Sequence, residues 1–413
     1  MKVAAALPWS MLRGWLAYGS VPIVGLITAP ILARALGPEG RGQLAAMLQP
    51  LTVADAFAAL GVPAAITFYI ARGHSVNDIA RVRNVMVLSS LAVVGTVLWF
   101  YSAAIAAMTN IDRFLILLLW TSIILGTVIS NRRATWQGQR IYGPLDAERF
   151  SSAIIRLALI VLVAVFGIRS AYPYALAYVG AGLLAGICLS QLFVRLNEST
   201  MRTERVRPSA FVKYSVLASL GTISATLNNR LDQAILPAAV SASELGQYSV
   251  AVTVAEVPFI LMIVMNRNLL AESSGGQERS VLTRTAILGF AGIGLTSLTL
   301  AIMSPWAIPL AFGDSFGPAV PVTQILLLAT CFGAVFSCIG VVLSGRGHPG
   351  LGALGAVSAT VMTVLLLFLA WPALDIHLAA WIAVGSQCVG AVVAVLVLIS
   401  ELRGRGNENS HCS

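Results

Sequence analysis

Charge is what this chain has least of. Of its 413 residues only 10% are Asp, Glu, Lys or Arg, against about 25% in soluble globular chains. Cysteine is also sparse, and the five present, Cys188, Cys331, Cys338, Cys388 and Cys412, form no CxxC pair. Four of them lie inside apolar runs, which reads as core packing rather than a disulfide framework or a thiolate metal site. The four histidines, His74, His348, His377 and His411, fall in loops or at the tail, none with a second ligand at metal spacing. GxxxxGK[ST], HExxH, GxSxG and the EF-hand loop are all missing. No polar stretch exceeds about 20 residues, too little for a nucleotide-binding domain. These absences argue against an enzyme, a resident metal, a cofactor and transport powered by ATP hydrolysis within this chain.

What is present is apolar length. Hydrophobic residues make up 58% of the chain, and a helix needs roughly 20 mostly apolar residues to cross about 30 Å of hydrocarbon. Twelve such runs are expected, near 10–36, 43–71, 84–108, 113–134, 148–168, 171–196, 211–240, 244–270, 283–312, 318–344, 350–371 and 377–400. The fold class is an all-α polytopic membrane protein. The N-terminal MKVAAALPWSML carries Lys2, but its apolar run continues past Arg13 to Leu36, so it reads as the first span and not as a cleaved signal peptide.

Lys and Arg in short loops stay on the cytoplasmic side. With the N-terminus inside, 20 of the 26 basic residues are cytoplasmic, among them Arg132 and Arg133 at the end of the fourth span. Only Arg34, Arg41, Arg113 and Arg169 are then outside, and Arg156 and Arg230 sit within spans. This bias predicts both termini in the cytoplasm and explains the net charge of +9 without nucleic acid as a partner.

The most polar connection, RLNESTMRTERVRPSAFVK from Arg195 to Lys213, lies near the midpoint, with six spans before it and six after. The expected organisation is a first lobe over 1–196, a basic cytoplasmic linker over 197–210, a second lobe over 211–402 and a cytoplasmic tail over 403–413. The halves resemble one another. LGPEGRGQLAAMLQPLTVADAFAAL and VSASELGQYSVAVTVAEVPFILMI align Gly42-Gln43-Leu44 with Gly246-Gln247-Tyr248, a polar turn leading into an apolar helix. Gly37 to Gly42 then reads as the tight outer turn between the first two spans. Each half starts in the cytoplasm and crosses six times, so the repeats are parallel.

Charges inside spans are expensive, and those that occur usually face a wet interior. In the second span of each half a carboxylate lies at mid-depth, Asp55 or Glu256, near a proline: Pro50 or Pro63 in one, Pro258 in the other. Each acid has two readings, a coupling or gating group or the partner of an arginine across the bundle. Arg13 and Arg156 lie within about two turns of the cytoplasmic ends, where they either snorkel or face a cavity. The seventh span, ATLNNRLDQAILPA, gathers Asn228, Asn229, Arg230, Asp232 and Gln233. Arg230 and Asp232 are two apart and point different ways, so Arg230 needs a partner on another helix or on a ligand. An interhelical clamp and a substrate or ion site both fit that cluster.

Three segments carry a resemblance to a known family: ILARALGPEGRGQLAA, LGVPAAITFYIARG and LDQAILPAAVSASELGQYSVAVTVAE. They resemble the Wzx-type polysaccharide flippases of the multidrug/oligosaccharidyl-lipid/polysaccharide exporter superfamily. Ala33-Arg34, Leu36-Gly37 and Gly42 match that family's first-span ending, with Arg41 where an aromatic is usual; Asp232, Ile235-Leu236 and Leu245-Gly246-Gln247-Tyr248 match its seventh. The resemblance implies a MATE-like arrangement of two parallel six-helix lobes around a central cavity that opens alternately to each side of the cell inner membrane. Its cargo is then a glycan on a polyprenyl pyrophosphate, moved from the cytoplasmic to the outer leaflet. Arg13, Arg156, Arg230, Asn228 and Asn229 become candidate substrate contacts; Asp55, Asp232 and Glu256 become coupling or gating candidates. Implied partners are the lipid-linked glycan, membrane lipids, and polymerase and chain-length components of glycan assembly. Competing readings are an ion-coupled multidrug exporter of the same superfamily and a non-transporting membrane component of a glycan assembly complex.

Overall fold

The computed structural model describes residues 9–74, 76–193, 206–274 and 279–411. Residues 197–205 of the basic linker lie outside them, and the side chains of Arg13 and of 403–413 are likewise not described. Every regular element among the described residues is a helix, with no strand among them. Two compact units divide the chain, Met1–Ile223 and Ser224–Ser413.

The first unit holds α1 (Trp9–Ala59), α2 (Val62–Ala71), α3 (Val76–Thr109), α4 (Arg113–Trp120), α5 (Ser122–Gly138), α6 (Tyr142–Val165) and α7 (Ala171–Phe193). It also holds residues 208–223 of α8 (Pro208–Ile235). Within it α6 packs on α1 and α7, α2 on α5, and α3 on α1. The indole Nε1 of Trp120 ties α4 to α1 by donating to the carbonyl of Met47 at 2.9 Å. A second core surrounds α2, where Val62, Ile66 and Ile70 close on Ile79 of α3 and Phe211 of α8.

The second unit holds the remainder of α8, then α9 (Ala242–Ala255), α10 (Val257–Ser274), α11 (Arg279–Phe312), α12 (Ala319–Gly345), α13 (Pro349–Ala370) and α14 (Ile376–His411). Its centre is α12, which packs against α9, α10, α11, α13 and α14. The apolar stretch of α12 is 56% buried against 11% for that of α11, so α11 turns most of its apolar surface outward. A Cβ on Gly340 of α12 would stand 2.6 Å from the Gly352 carbonyl oxygen of α13. Such backbone-to-backbone approach is how membrane helices gain contact where water supplies no drive between them.

Ten helical stretches among the described residues are long and apolar enough to cross a membrane. One of them, Ser20–Ala59, bends at Gly37 and supplies two segments. The 24-residue α6 has the length of a span but carries Asp146, Glu148, Arg149 and Arg156. Together these account for the twelve expected segments.

Several joints differ from expectation. Gly37 to Gly42 is not a turn of six residues: only Gly37 leaves helical geometry, at φ 65 and ψ −178, and Pro38 reopens the helix at once. Glycine reaches this φ without a Cβ penalty, and proline suits a first helical turn because no N–H is needed there. Pro50 lies inside α1 without ending it. The breaks of the second spans occur instead at Leu60-Gly61 (φ 42 and 67) before Pro63, and at Glu256 before Pro258. In each case a hydroxyl from a neighbouring helix takes up a carbonyl at the break. Ser90 of α3 donates to Ala58 at 2.7 Å, and Thr330 of α12 donates to Ala255 at 3.1 Å. The two breaks are not equivalent in the repeat: under the Gly42–Gly246 alignment Glu256 stands opposite Thr52.

Candidate functional site

Within the first unit, α1, α5 and α7 line an open-sided cavity of about 320 Å³. Asp55 enters it from α1, Arg133 from α5 and Tyr178 from α7. The α5 wall follows from helical periodicity, because Ser122, Gly126, Ser130 and Arg133 recur every three or four residues and so share one face. Asp55 is exposed and makes no hydrogen bond or close ion pair among the described residues. Arg133 is paired through Nη2 to Oε1 of Glu148 on α6. Glu148 is only 1% exposed while Arg133 is 37% exposed, so the carboxylate is a buried counter-charge that steadies an arginine facing the cavity. The second oxygen of Glu148 and the Nε of Arg133 are buried and unpartnered.

Arg156 contacts a wall of this cavity. Its guanidinium lies 4.8 Å from the Tyr178 ring centre, a cation–π arrangement, and its Nη2 donates to the Val21 carbonyl at 3.3 Å. Of the sequence-predicted residues, Asp55 lines the cavity, and Arg156 does not line it but touches one of its walls, Tyr178.

In the second unit the polar cluster of α8 is sorted into separate pairs. Arg230 donates through Nη2 to Oε1 of Glu256 at 2.8 Å, the two side chains 29% and 37% exposed. Glu256 occupies the break between α9 and α10, which sets it toward α8. Asp232 accepts from the Tyr248 hydroxyl and from the backbone N–H of Gln233, the latter at 2.7 Å. Tyr248 is placed by the capping box of α9, in which Ser241 and Glu244 satisfy each other's backbone N–H groups. Asn228 accepts from Gln387 of α14 at 3.1 Å, whereas Asn229 is exposed. Arg230 thus has the interhelical partner its position required, and that partner takes one of its five N–H donors.

Arg133, Glu148 and Tyr178 are not singled out by the sequence as site residues, and Tyr248 enters there only as part of a motif. Arg133 counts among the cytoplasmic basic residues by the charge rule, yet it continues the small polar stripe of α5 that begins at Ser122. That stripe was the available signal. Nothing in the sequence singles out Tyr248 as the partner of Asp232, sixteen residues earlier across a turn.

Comparison with known proteins bears on the family and the fold. The family described as polysaccharide biosynthesis protein matches residues 12–268. Stage V sporulation protein B of Bacillus subtilis (strain 168) is 24% identical over 198 residues, 45% of this chain. That match spans 38% of the relative's length. Among solved structures, the lipid II flippase MurJ in an inward closed conformation matches with a TM-score of 0.73 at 12% identity, over 94% of this chain and 87% of that one. An inward-facing multidrug resistance MATE family transporter of the MOP superfamily matches with a TM-score of 0.68 at 12% identity, over 96% and 99%. The chain shares the fold of these two transporters. With well over half of its length inside the family match, the chain belongs to the polysaccharide biosynthesis protein family.

Proposed function

We propose that the protein flips a polyprenyl-pyrophosphate-linked oligosaccharide from the cytoplasmic to the outer leaflet by alternating access, supplying surface polysaccharide synthesis. One observation carries the reading: the family match, residues 12–268, spans every intramembrane charge singled out in the sequence, from Arg13 to Glu256. Arginines suit such cargo because a guanidinium binds phosphate oxygens in a planar, often bidentate way and stays charged when desolvated. Arg13, Arg156, Arg230, Asn228 and Asn229 are assigned to substrate, and Asp55, Asp232 and Glu256 to coupling or gating. The six spans before the basic linker 197–210 and the six after it form the alternating halves, in the inner membrane with both termini cytoplasmic. Polymerase and chain-length components are the natural protein partners, since they would consume the glycan on the outer side.

Deleting the gene and profiling lipid-linked glycans by mass spectrometry tests this. The expected result is accumulation of a polyprenyl-linked oligosaccharide with loss of surface polysaccharide. If both are unchanged the reading fails, and a gain in drug sensitivity with normal glycans would favour the multidrug exporter reading that the MATE likeness keeps open.

A further inference from the structure

We infer that the cavity of the first unit is a subsite for one neutral sugar ring of the transported glycan. The inference rests on the flippase reading for the source of the sugar, but its chemistry stands on the cavity itself. At about 320 Å³ the space is at the small end of ligand sites, about 300–1,000 Å³, and suits one ring rather than an oligosaccharide.

The lining offers both hydrogen-bond donors and acceptors. Asp55 opposes an anion such as pyrophosphate, and it reaches the cavity without a hydrogen bond of its own. Arg133, on the α5 wall, has its charge balanced by Glu148 and presents guanidinium N–H donors. A sugar hydroxyl both donates and accepts, so a neutral polyol uses both groups at once. Ser122 and Ser130 add two hydroxyls whose donors have no partner among the described residues. Tyr178, exposed on the α7 wall with Arg156 over one side of its ring, supplies aromatic surface for the C–H face of a sugar. The Glu148 counter-charge then serves to hold Arg133 in place while leaving the cavity donor-rich.

The test is saturation-transfer NMR on the full-length protein in nanodiscs, with the methyl glycosides of glucose, galactose, mannose and N-acetylglucosamine as probes. At least one glycoside is expected to receive transfer at its ring protons. Tyr178→Leu and Asp55→Leu should each weaken its binding about tenfold, while Tyr178→Phe, which keeps the ring, should bind as wild type. Replacing sodium by choline at constant ionic strength should change nothing. Absence of transfer to all four glycosides would overturn the subsite, as would undiminished transfer in Tyr178→Leu or displacement of the sugar by sodium. The flippase reading is tested separately by the glycan profile of the deletion strain. Normal flipping without glycoside binding would sink the subsite alone, and glycoside binding with unchanged lipid-linked glycans would sink the transport reading alone.

Discussion

A single methyl group added at Gly61 is expected to remove most of the protein from the membrane. The position combines two demands that only glycine meets. Its φ is +67, and a Cβ there would stand 2.0 Å from the Ser215 carbonyl oxygen and 2.7 Å from the Ser219 backbone nitrogen of α8. Neither obstacle is a side chain that can rotate away. The approach is fixed from both sides of the joint, where Phe68 of α2 stacks on Tyr214 of α8 at 4.2 Å and Phe211 is fully buried. Backbone strain and overpacking each cost about 1–3 kcal/mol, so Gly61→Ala should cost on the order of 4 kcal/mol. Against a total of about 5–15 kcal/mol for a typical domain, that is a large share. Membrane abundance and detergent-solubilised gel filtration measure the outcome. Gly180→Ala is the control, since a Cβ there meets nothing within 4 Å. Equal abundance of the two variants would show that α2 and α8 are not held as described.

The second large effect is functional. Arg230→Ala is expected to abolish export while leaving abundance near that of wild type. The pair with Glu256 is about one-third exposed on both sides, so its contribution to stability is screened and modest. Glu256 takes a single donor of the guanidinium, leaving the others for a phosphate oxygen or for a changing partner during transport. Arg230→Lys keeps the charge but loses the planar fork, and should recover only part of the export. Asp232→Ala belongs to the same measurement: it removes the acceptor of the Tyr248 hydroxyl and should also impair export. Surface polysaccharide and tagged-protein abundance, read side by side, decide the matter. If abundance falls in step with export, the cluster is a clamp within the second unit and carries no cargo.

How much of this was legible beforehand varies with the physics involved. The spans were, because the cost of burying backbone in lipid leaves a helix-length apolar run as nearly the only solution. The seventh-span cluster was legible too, since so many polar groups in one apolar stretch demand an account. The joints were harder to read. Pro50, Pro63 and Pro258 look alike in sequence, yet only the last two lie at breaks, where Ser90 and Thr330 stand ready to take the carbonyls. Whether a proline ends a helix depends on such neighbours, which local sequence does not reveal. Arg133 was hidden for a different reason. An arginine at the end of a span satisfies the charge rule for loops equally well whether it points to water or, as here, along α5 into a cavity. Its buried counter-charge, Glu148, is fifteen residues away on the next helix.

The central claim is that this chain carries a lipid-linked glycan across the bilayer, and purified protein in sealed vesicles tests it most directly. Vesicles are loaded with a fluorescently labelled polyprenyl-pyrophosphate oligosaccharide, and a membrane-impermeant quencher is added outside. With wild-type protein, quenching should rise with time from the outer-leaflet share of the label to nearly all of it, while vesicles carrying Arg230→Ala should remain at the outer-leaflet share. Quenching that never passes that share with folded wild-type protein, or that rises equally in both preparations, would contradict the account.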